Sequence, residues 1–371
     1  MKTSLKIFNP VWGVDVARDW GLRAEEVDLE TALQQPFKIA CVPACFNNPN
    51  NFNYQLFSES RQQIDFSKFD LVVISDIEQE RYPRILQWIE WSKIKNYVLA
   101  IGAIHNSEAG IDNETTVLRS WWMYNLMRLN SQCDHTRPSK PYWFDALLGT
   151  RKPHRDFVML NMQKHHPLLN KSIVTYREGF PGEQIDQQTT KIQDYFADQE
   201  LTWPYVSPNL DHAWELKDAL GKIDGPVHSI SPYVPWEIYK NTWYTVICES
   251  CHTGDAFFLT EKTTKVMYAK RVFVTFAPCQ HLKNLRKLGF QTFGSVMDES
   301  YDEELIDLTR YQMAWAQMLS LTQQDPVEVY AKVKDILEHN QRRLTELQNE
   351  TTGRMRELLQ RHIPRQYQLV Q

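Results

Sequence analysis

The sequence predicts an α/β protein with two consecutive α/β halves and a helical tail. Short runs of β-branched and aromatic residues, nearly continuous in apolar character, alternate with helical stretches. This pattern is typical of a parallel sheet that is covered on both faces. A polar stretch with two prolines interrupts the alternation at residues 130–141. Because such stretches commonly join domains, the chain is expected to fold as two units.

Three buried strands are expected in the first half, at residues 37–43 (FKIACVP), 69–76 (FDLVVISD) and 96–103 (NYVLAIGA). Between the second and the third strand, the segment YPRILQWIEWSKI places its apolar residues along one stripe of a helix that Pro83 opens. These elements form a βαβ unit. A further helix is expected at residues 117–129.

The polar stretch NSQCDHTRPSKP sets the predicted domain limits. The first domain is expected at residues 1–135, the second at 136–325 and the helical tail at 326–371. Within the second domain, residues 179–212 are expected to form an insertion with local structure only. The expected strands lie at residues 142–149, 172–176, 241–250 and 271–277, with helices at 153–164 and within 257–270.

Composition limits the possible classes of protein. The chain has 371 residues, 42% of them hydrophobic and 23% charged, which excludes a mainly disordered protein. Its 41 Lys and Arg residues against 46 Asp and Glu residues give a formal charge of −5, which argues against a protein that coats DNA in general. No run reaches the roughly 18 apolar residues of a membrane helix, and the start of the chain lacks an apolar signal core. The expected location is the cytoplasm, with no membrane partner and with six reduced cysteines.

The most informative segment is the turn FFLTEKTTK at residues 257–265. Thr260 is expected to cap a helix, with Glu261 and Lys262 in its first turn and Lys265 close behind. Two cations at the positive end of a helix dipole cost about 0.3 to 1 kcal/mol each. A bound phosphate would offset that cost, because it accepts from exposed N–H groups and pairs with both lysines. The alternative is that both lysines point into water.

A second basic turn is expected after the strand at residues 142–149. Gly149 ends that strand, and Arg151 and Arg155 flank Pro153, which opens a helix. Open α/β sheets bind ligands at the carboxyl ends of their strands, so both arginines are placed to reach a diphosphate. The alternative is a solvated basic loop. Two independent basic turns in one half of the chain favour a shared anionic ligand.

These segments resemble a known family. The run FFLTEKTTKVMYAKRVFV, followed by LRKLGFQTFGSVMDESYD, resembles the donor-binding part of fucosyltransferase-like enzymes and of their phage-encoded relatives. FDALLGTRKPHRDFVM resembles their strand, arginine-bearing turn and helix, and WYTVICES resembles their strand with an acidic end. The resemblance covers about residues 141–305, and the first 130 residues carry no recognised motif.

The resemblance implies a GT-B glycosyltransferase with two facing Rossmann-like domains. It places the nucleotide-sugar on the C-terminal domain and the acceptor on the N-terminal domain, and it implies no cofactor beyond the donor substrate. The implied donor-binding residues are Arg151 and Arg155 for the diphosphate, Glu261 for the ribose, Lys262 for a phosphate, and Thr260, Glu249 and Lys265 close by.

Glycosyl transfer also needs a base that takes the proton of the acceptor hydroxyl. The base is expected at a strand end of the first domain, at Asp76, His105 or Glu108. Asp15 is a weaker candidate for the base. No D-x-D signature stands at a strand end, so no obligatory metal is expected. The motif C-x-x-C-H at residues 248–252 matches a haem-attachment pattern, but it lacks an export signal for haem and a second cysteine pair for a metal.

The hypothesis from the sequence is an inverting, metal-independent glycosyltransferase that uses a nucleoside diphosphate sugar. Its acceptor is either a glycan or a hydroxymethylated base in phage DNA, and a basic tail with Arg354, Arg361 and Arg365 is compatible with DNA. Interleaved glutamates make a solvated, salt-bridged face the simpler interpretation of that tail. The alternative from another class is a non-catalytic nucleotide- or nucleic-acid-binding protein. The sequence makes no prediction of the oligomeric state.

Overall fold

The structure, a computed structural model, describes residues 4–8, 24–44, 64–76, 82–105, 115–118, 139–149, 151–176, 201–202, 205–208, 234–254 and 256–365. Residue contacts divide the chain into two units, Met1–Tyr124 together with Glu346–Gln371, and Asn125–Thr345. Each unit is built on a mainly parallel sheet, so the expected α/β class with two halves is confirmed. The domain limits at 135/136 and 325/326 stay predictions.

The described strands and α-helices of the first unit begin near the start of the chain. In chain order they are β1 (Leu5–Phe8), β2 (Ala24–Val27), α1 (Leu29–Leu33), β3 (Ile39–Ala44), β4 (Leu71–Asp76), α2 (Tyr82–Trp91), β5 (Tyr97–Ile101), β6 (Ala103–His105) and β7 (Thr116–Leu118). Six strands form a sheet in the order β2-β1-β3-β4-β5-β7, and every adjacent pair is parallel. Helix α2 links the adjacent parallel strands β4 and β5, which confirms the predicted βαβ unit.

Apolar residues cover both faces of this sheet, which explains the nearly continuous apolar strands. In β3, Ile39 and Cys41 belong to one core, whereas Ala40 and Val42 belong to the other. Helix α2 packs into the second core through Trp88 and its neighbours. The first core is completed by residues from the end of the last helix, Met355, Leu358 and Leu359.

One element predicted for the first unit needs correction. The helix expected at residues 117–129 is wrong at its start, because Val117 and Leu118 lie in β7, where they pair with Ala100 and Ile101 of β5. Residues 119–129 lie outside the described part of the chain. A short apolar run satisfies the strand pattern and the helix pattern equally well, so sequence alone could not separate them.

The second unit alternates strands and helices as expected. Its described elements are β8 (Tyr142–Leu148), α3 (Pro153–Lys164), α4 (His166–Asn170), β9 (Ser172–Tyr176), β10 (Tyr205–Val206), α5 (Trp236–Asn241), β11 (Thr242–Cys248), β12 (Ala256–Phe258), α6 (Glu261–Tyr268), β13 (Phe273–Phe276), α7 (His281–Lys287), α8 (Asp307–Thr322) and the first part of α9 (Pro326–His362). Its sheet has the order β10-β9-β8-β11-β13, and only β10 runs antiparallel to its neighbour. Of the predicted insertion at 179–212, only residues 201–202 and 205–208 are described.

Helix α9 forms the predicted helical tail. Within the second unit it holds the chain that follows α7: Asn340 exchanges two hydrogen bonds with the backbone of Gln291, at 2.8 and 2.9 Å. Arg343 donates from Nε to the carbonyl of Leu288 at 2.7 Å. Among the described helices, none is long and apolar enough to cross a membrane.

The amino edge of the second sheet contains a buried polar group that we call the amino-edge cluster, formed by Lys140, Asp145, Thr242, Thr245 and Arg271. Arg271 is fully buried, and its guanidinium donates to Asp145 Oδ1 at 2.6 Å and to Thr245 Oγ1 at 2.7 Å. It also donates to the carbonyl and the hydroxyl of Thr242. Lys140 donates to the same carbonyl at 3.0 Å. The cluster therefore ties the starts of β8, β11 and β13 together.

Candidate functional site

The carboxyl edge of the second sheet carries both predicted basic turns. Strands β8, β11 and β13 run parallel, so their carboxyl ends meet at one edge. The chain after β8 passes through Gly149 into α3, and residues 249–254 follow β11. Hydrogen bonds join residues 249 and 250 to the start of α6 and to α3, so these three segments meet.

Thr260 caps α6, as the sequence predicted. Its backbone is extended, and its Oγ1 accepts from the backbone N–H of Lys262 at 3.2 Å. The same hydroxyl donates to Glu249 Oε2 at 2.5 Å. The start of α6 is thereby fixed to the end of β11.

The carboxylate of Glu249 is wholly buried between these elements. Oε2 accepts from Thr260 and from the backbone N–H of Ser250 at 3.1 Å, and Oε1 accepts from Thr263 Oγ1 at 2.5 Å. The backbone of Glu249 is also engaged, because its carbonyl bonds to His154 Nε2 at 2.8 Å. Glu249 therefore connects β11, α3 and α6.

Two lysines from the two basic turns converge on Ser250. Lys152 donates from Nζ to the carbonyl of Ser250 at 2.9 Å, and Lys262 donates from Nζ to its hydroxyl at 3.0 Å. Lys262 also pairs with Glu261 Oε1 at 3.0 Å, and its side chain is 24% exposed. The two turns are thus neighbours in space although they lie about a hundred residues apart in sequence.

Arg151 forms an ion pair with Asp156, at 2.6 Å between Nη2 and Oδ2. Asp156 is fully buried, and its other oxygen accepts from the hydroxyl of Tyr176 at the end of β9. The Arg151 side chain is 15% exposed. The arginine is therefore oriented by the protein and still reaches the surface.

Arg155 lies against Gly149, and the glycine is required for that approach. A Cβ at position 149 would lie 2.9 Å from Nη1 of Arg155. Arg155 is 5% exposed, and burial lowers its pKa, while the nearby groups of Cys248, Tyr176, Glu261 and Glu249 oppose that shift. A guanidinium begins with so high a pKa that Arg155 keeps its charge.

The structure separates the alternatives left open by the sequence. Lys262 does not simply point into water, because it bonds to Ser250 and Glu261. The solvated-loop interpretation of Arg151 and Arg155 is wrong too, since both are largely buried. Lys265 requires a correction: α6 has only eight residues, so Lys265 stands in its last turn and not at the unfavourable positive end.

The candidate bases belong to the first unit. Asp76 is the last residue of β4 and His105 the last residue of β6, but the described part of the chain does not include their side chains. Glu108 and Asp15 lie outside the described residues. Their roles therefore stay predictions.

The C-x-x-C-H motif lies beside the candidate site. Cys248 and Cys251 are buried free thiols, and burial raises the pKa of Cys248 to about 12. The described residues contain no group of three or more side chains that could hold a metal ion.

A pair of histidines next to Glu249 has no signal in the sequence. His154 is fully buried and stacks on His252, with 4.7 Å between ring centroids and 6° between planes. Burial, together with the charges of His252, Arg155 and Lys152, holds the pKa of His154 well below its ordinary value. His154 therefore donates from Nε2 to the carbonyl of Glu249 as a neutral ring. The two histidines are almost a hundred residues apart, and no local pattern marks them as partners.

Comparisons with known proteins give a structural similarity without a match in sequence. No protein-family model and no curated protein matches the sequence. Among solved structures, the chain is similar to the crystal structure of the DNA-modifying enzyme β-glucosyltransferase, determined in the presence and absence of its substrate uridine diphosphoglucose. The TM-score is 0.44 and the identity 10%, over 97% of this chain and 99% of that chain. At these values, the function of this chain has to be inferred from its own residues.

Proposed function

We propose that the protein is a glycosyltransferase whose second unit binds the diphosphate of a nucleoside diphosphate sugar. The observation that carries this proposal is the convergence of Lys152 and Lys262 on Ser250. Ser250 is neutral, so it brings two ammonium groups together without adding a negative charge of its own. The resemblance of both turns to the donor-binding part of fucosyltransferase-like enzymes supports a nucleotide-sugar as the anion.

The charges of this edge suit the chemistry of the donor. Negative charge develops on the diphosphate as the bond to the sugar breaks, and preorganised cations stabilise that charge. Because the cations are partly or largely buried, salt in the solvent screens them weakly. The two basic turns and the residues bonded to them bring the cations Arg151, Lys152, Arg155 and Lys262 together with the carboxylates Asp156, Glu249 and Glu261.

We extend the proposal to an inverting reaction without an obligatory metal. A base takes the proton of the acceptor hydroxyl, whose oxygen attacks the anomeric carbon while the diphosphate leaves from the opposite face. Asp76, His105 and Glu108 are the candidate bases. A measurement of salt dependence distinguishes the two acceptor classes. Binding of a DNA acceptor weakens steeply with added salt, whereas binding of a neutral glycan changes little.

A thermal-shift screen of nucleoside diphosphates and their sugars tests the proposed donor site. At least one of them should stabilise the wild-type protein, because a ligand that binds only the folded state raises the melting temperature. Lys262→Ala should lose most of that shift. Lys334→Ala, which changes an exposed lysine on α9, is the matched control and should keep it. Full nucleotide affinity in both Lys262→Ala and Arg151→Ala would mean that the site is elsewhere.

Donor hydrolysis separates an enzyme from a binding protein. A working transferase transfers some sugar to water in the absence of an acceptor, and release of the nucleoside diphosphate reports that reaction. Stabilisation by the nucleotide without any hydrolysis or transfer, over a panel of glycan and hydroxymethylated DNA acceptors, would instead support the non-catalytic nucleotide-binding protein.

A further inference from the structure

Glu249 does not have the geometry of a ligand, although the resemblance places it beside the donor. Its side chain is 0% exposed, so no ligand atom reaches it without opening the fold. Both carboxylate oxygens are already engaged by the hydroxyls of Thr260 and Thr263. Its contacts described above all go to the segments that carry the basic turns.

These contacts lie on both sides of Lys262. Thr260 and Thr263 flank Lys262 in sequence at the start of α6, and both donate to the carboxylate of Glu249. Ser250, which receives the side chain of Lys262, donates its own N–H to the same carboxylate. One buried side chain thus fixes the backbone before and after the lysine and also the residue that the lysine contacts.

We propose that Glu249 is a positioning residue, which orders the start of α6 and Ser250 so that Lys262 and the N–H groups of the helix are set for a diphosphate. This inference rests on the proposed donor site. It assigns to Glu249 a role that is exerted through Lys262 and not through contact with the donor.

The charge of Glu249 makes the inference testable by the sign of an effect. A carboxylate near an anion site repels the anion, so removal of a mere bystander charge strengthens anion binding. Removal of a positioning charge has the opposite result, because the threonine hydroxyls lose their acceptor and the start of α6 is no longer held. The negative charge of Glu249 near the positive end of α6 also stabilises the helix itself.

The experiment measures the binding of inorganic pyrophosphate, UDP and GDP to the wild-type protein and to Glu249→Gln by calorimetry. Glutamine has nearly the same shape as glutamate but no charge. We expect affinity for pyrophosphate and for the preferred nucleoside diphosphate to fall together, by about tenfold, the effect of losing one hydrogen bond to a charged group. Equal or tighter binding by Glu249→Gln would overturn the inference.

Pyrophosphate also separates positioning from direct ribose binding. If Glu249 contacted the ribose, the substitution would weaken nucleoside diphosphate binding but leave pyrophosphate binding unchanged, because pyrophosphate has no ribose. That outcome would also overturn the inference. If the wild-type protein binds none of the three anions, the proposed donor site itself is wrong, and the positioning role falls with it.

Two adjacent threonines give a second test that keeps the charge in place. Thr263 and Thr264 are both 0% exposed in α6, but only Thr263 bonds to Glu249, whereas Thr264 Oγ1 has no hydrogen-bond partner among the described residues. Thr263→Val should weaken pyrophosphate binding severalfold, Thr263→Ser should restore it, and Thr264→Val should leave it unchanged. Equal effects of the two valine variants would show a purely structural role for this helix. These variants also decide the question if Glu249→Gln does not fold.

Discussion

The two edges of the second sheet both bury arginine and carboxylate side chains, but they bury them in different ways. At the amino edge, Arg271 is 0% exposed, and Nε, Nη1 and Nη2 all donate to protein acceptors. At the carboxyl edge, the side chains of Arg151 and Lys262 are 15% and 24% exposed. Arg271 at the amino edge is closed to solvent, whereas Arg151 and Lys262 at the carboxyl edge still present charge at the surface.

This difference shows that a buried charge does not by itself mark a binding site. The amino-edge cluster joins three strand starts and leaves no donor of Arg271 available, which suits a structural role. At the carboxyl edge, Lys152 and Lys262 meet at the neutral Ser250, and Arg151 and Arg155 lie in the same turn as Lys152. Partial exposure of the cations, not burial, distinguishes the edge that is suited to bind an anion.

The largest expected effect is the loss of stability when Arg271 is removed from the amino-edge cluster. Arg271→Leu leaves the carboxylate of Asp145 buried without its ion-pair partner, which should lower the free energy of unfolding by about 3 to 5 kcal/mol. Urea unfolding followed by circular dichroism measures this loss. Pyrophosphate affinity of the folded fraction should stay within about twofold of the wild type, since the cluster lies at the other edge. A loss below about 1 kcal/mol would contradict a structural role.

The sequence could predict the local features of the two edges but not the contacts between residues that are far apart in the chain. The cap by Thr260 and the strand, turn and helix around Pro153 depend on neighbouring residues, so the chain reveals them directly. The amino-edge cluster joins Asp145 to Arg271, which are 126 residues apart, and nothing near either residue signals the pair. The same limit applies to the convergence on Ser250. The sequence pattern predicts the two basic turns, but the register of β8 against β11 brings them together.

The second expected effect concerns the approach of Arg155 to Gly149. Gly149→Ala places a Cβ where Nη1 of Arg155 now lies, so the guanidinium has to move. Pyrophosphate affinity should fall about tenfold, or ~1.4 kcal/mol. Stability should change by less than ~1 kcal/mol, because the displaced atoms are the far end of a flexible side chain. Isothermal calorimetry and thermal unfolding measure the two quantities.

Gly353→Ala is the matched control for this substitution. Gly353 lies in α9, and an added Cβ meets no atom within 4 Å. Pyrophosphate binding should therefore be unchanged, and the helix should gain slightly in stability. If both alanine variants bind pyrophosphate as the wild type does, Arg155 is not a ligand of the anion.

The third expected effect is a pH dependence of stability that originates behind the carboxyl edge. The pKa of buried His154 lies well below its ordinary value of 6.5, so the unfolded chain binds this proton at higher pH than the folded protein does. The free energy of unfolding therefore falls as pH drops below about 6.5, by at most ~1.4 kcal/mol per pH unit for one histidine. Burial also lowers the pKa of His281, which adds to the slope in the same direction.

His154→Gln should make this slope shallower. The glutamine amide can still donate to the carbonyl of Glu249, but it does not titrate. Chemical unfolding at about pH 7, 6 and 5, which spans the ordinary histidine pKa, compares the two proteins. The remaining slope of the variant includes the contribution of His281. A slope equal to that of the wild type would mean that His154 takes up no proton in this range on unfolding.

The smallest expected effect comes from the hydroxyl of Ser250. Ser250→Ala removes one acceptor of Lys262 but keeps the backbone carbonyl that holds Lys152. Because Lys262 still pairs with Glu261, pyrophosphate affinity should fall by no more than about threefold, and stability by ~0.5 kcal/mol. Calorimetry alongside Lys262→Ala measures the difference. If Ser250→Ala loses as much affinity as Lys262→Ala, the hydroxyl itself binds the anion, because a role limited to holding Lys262 predicts the smaller loss.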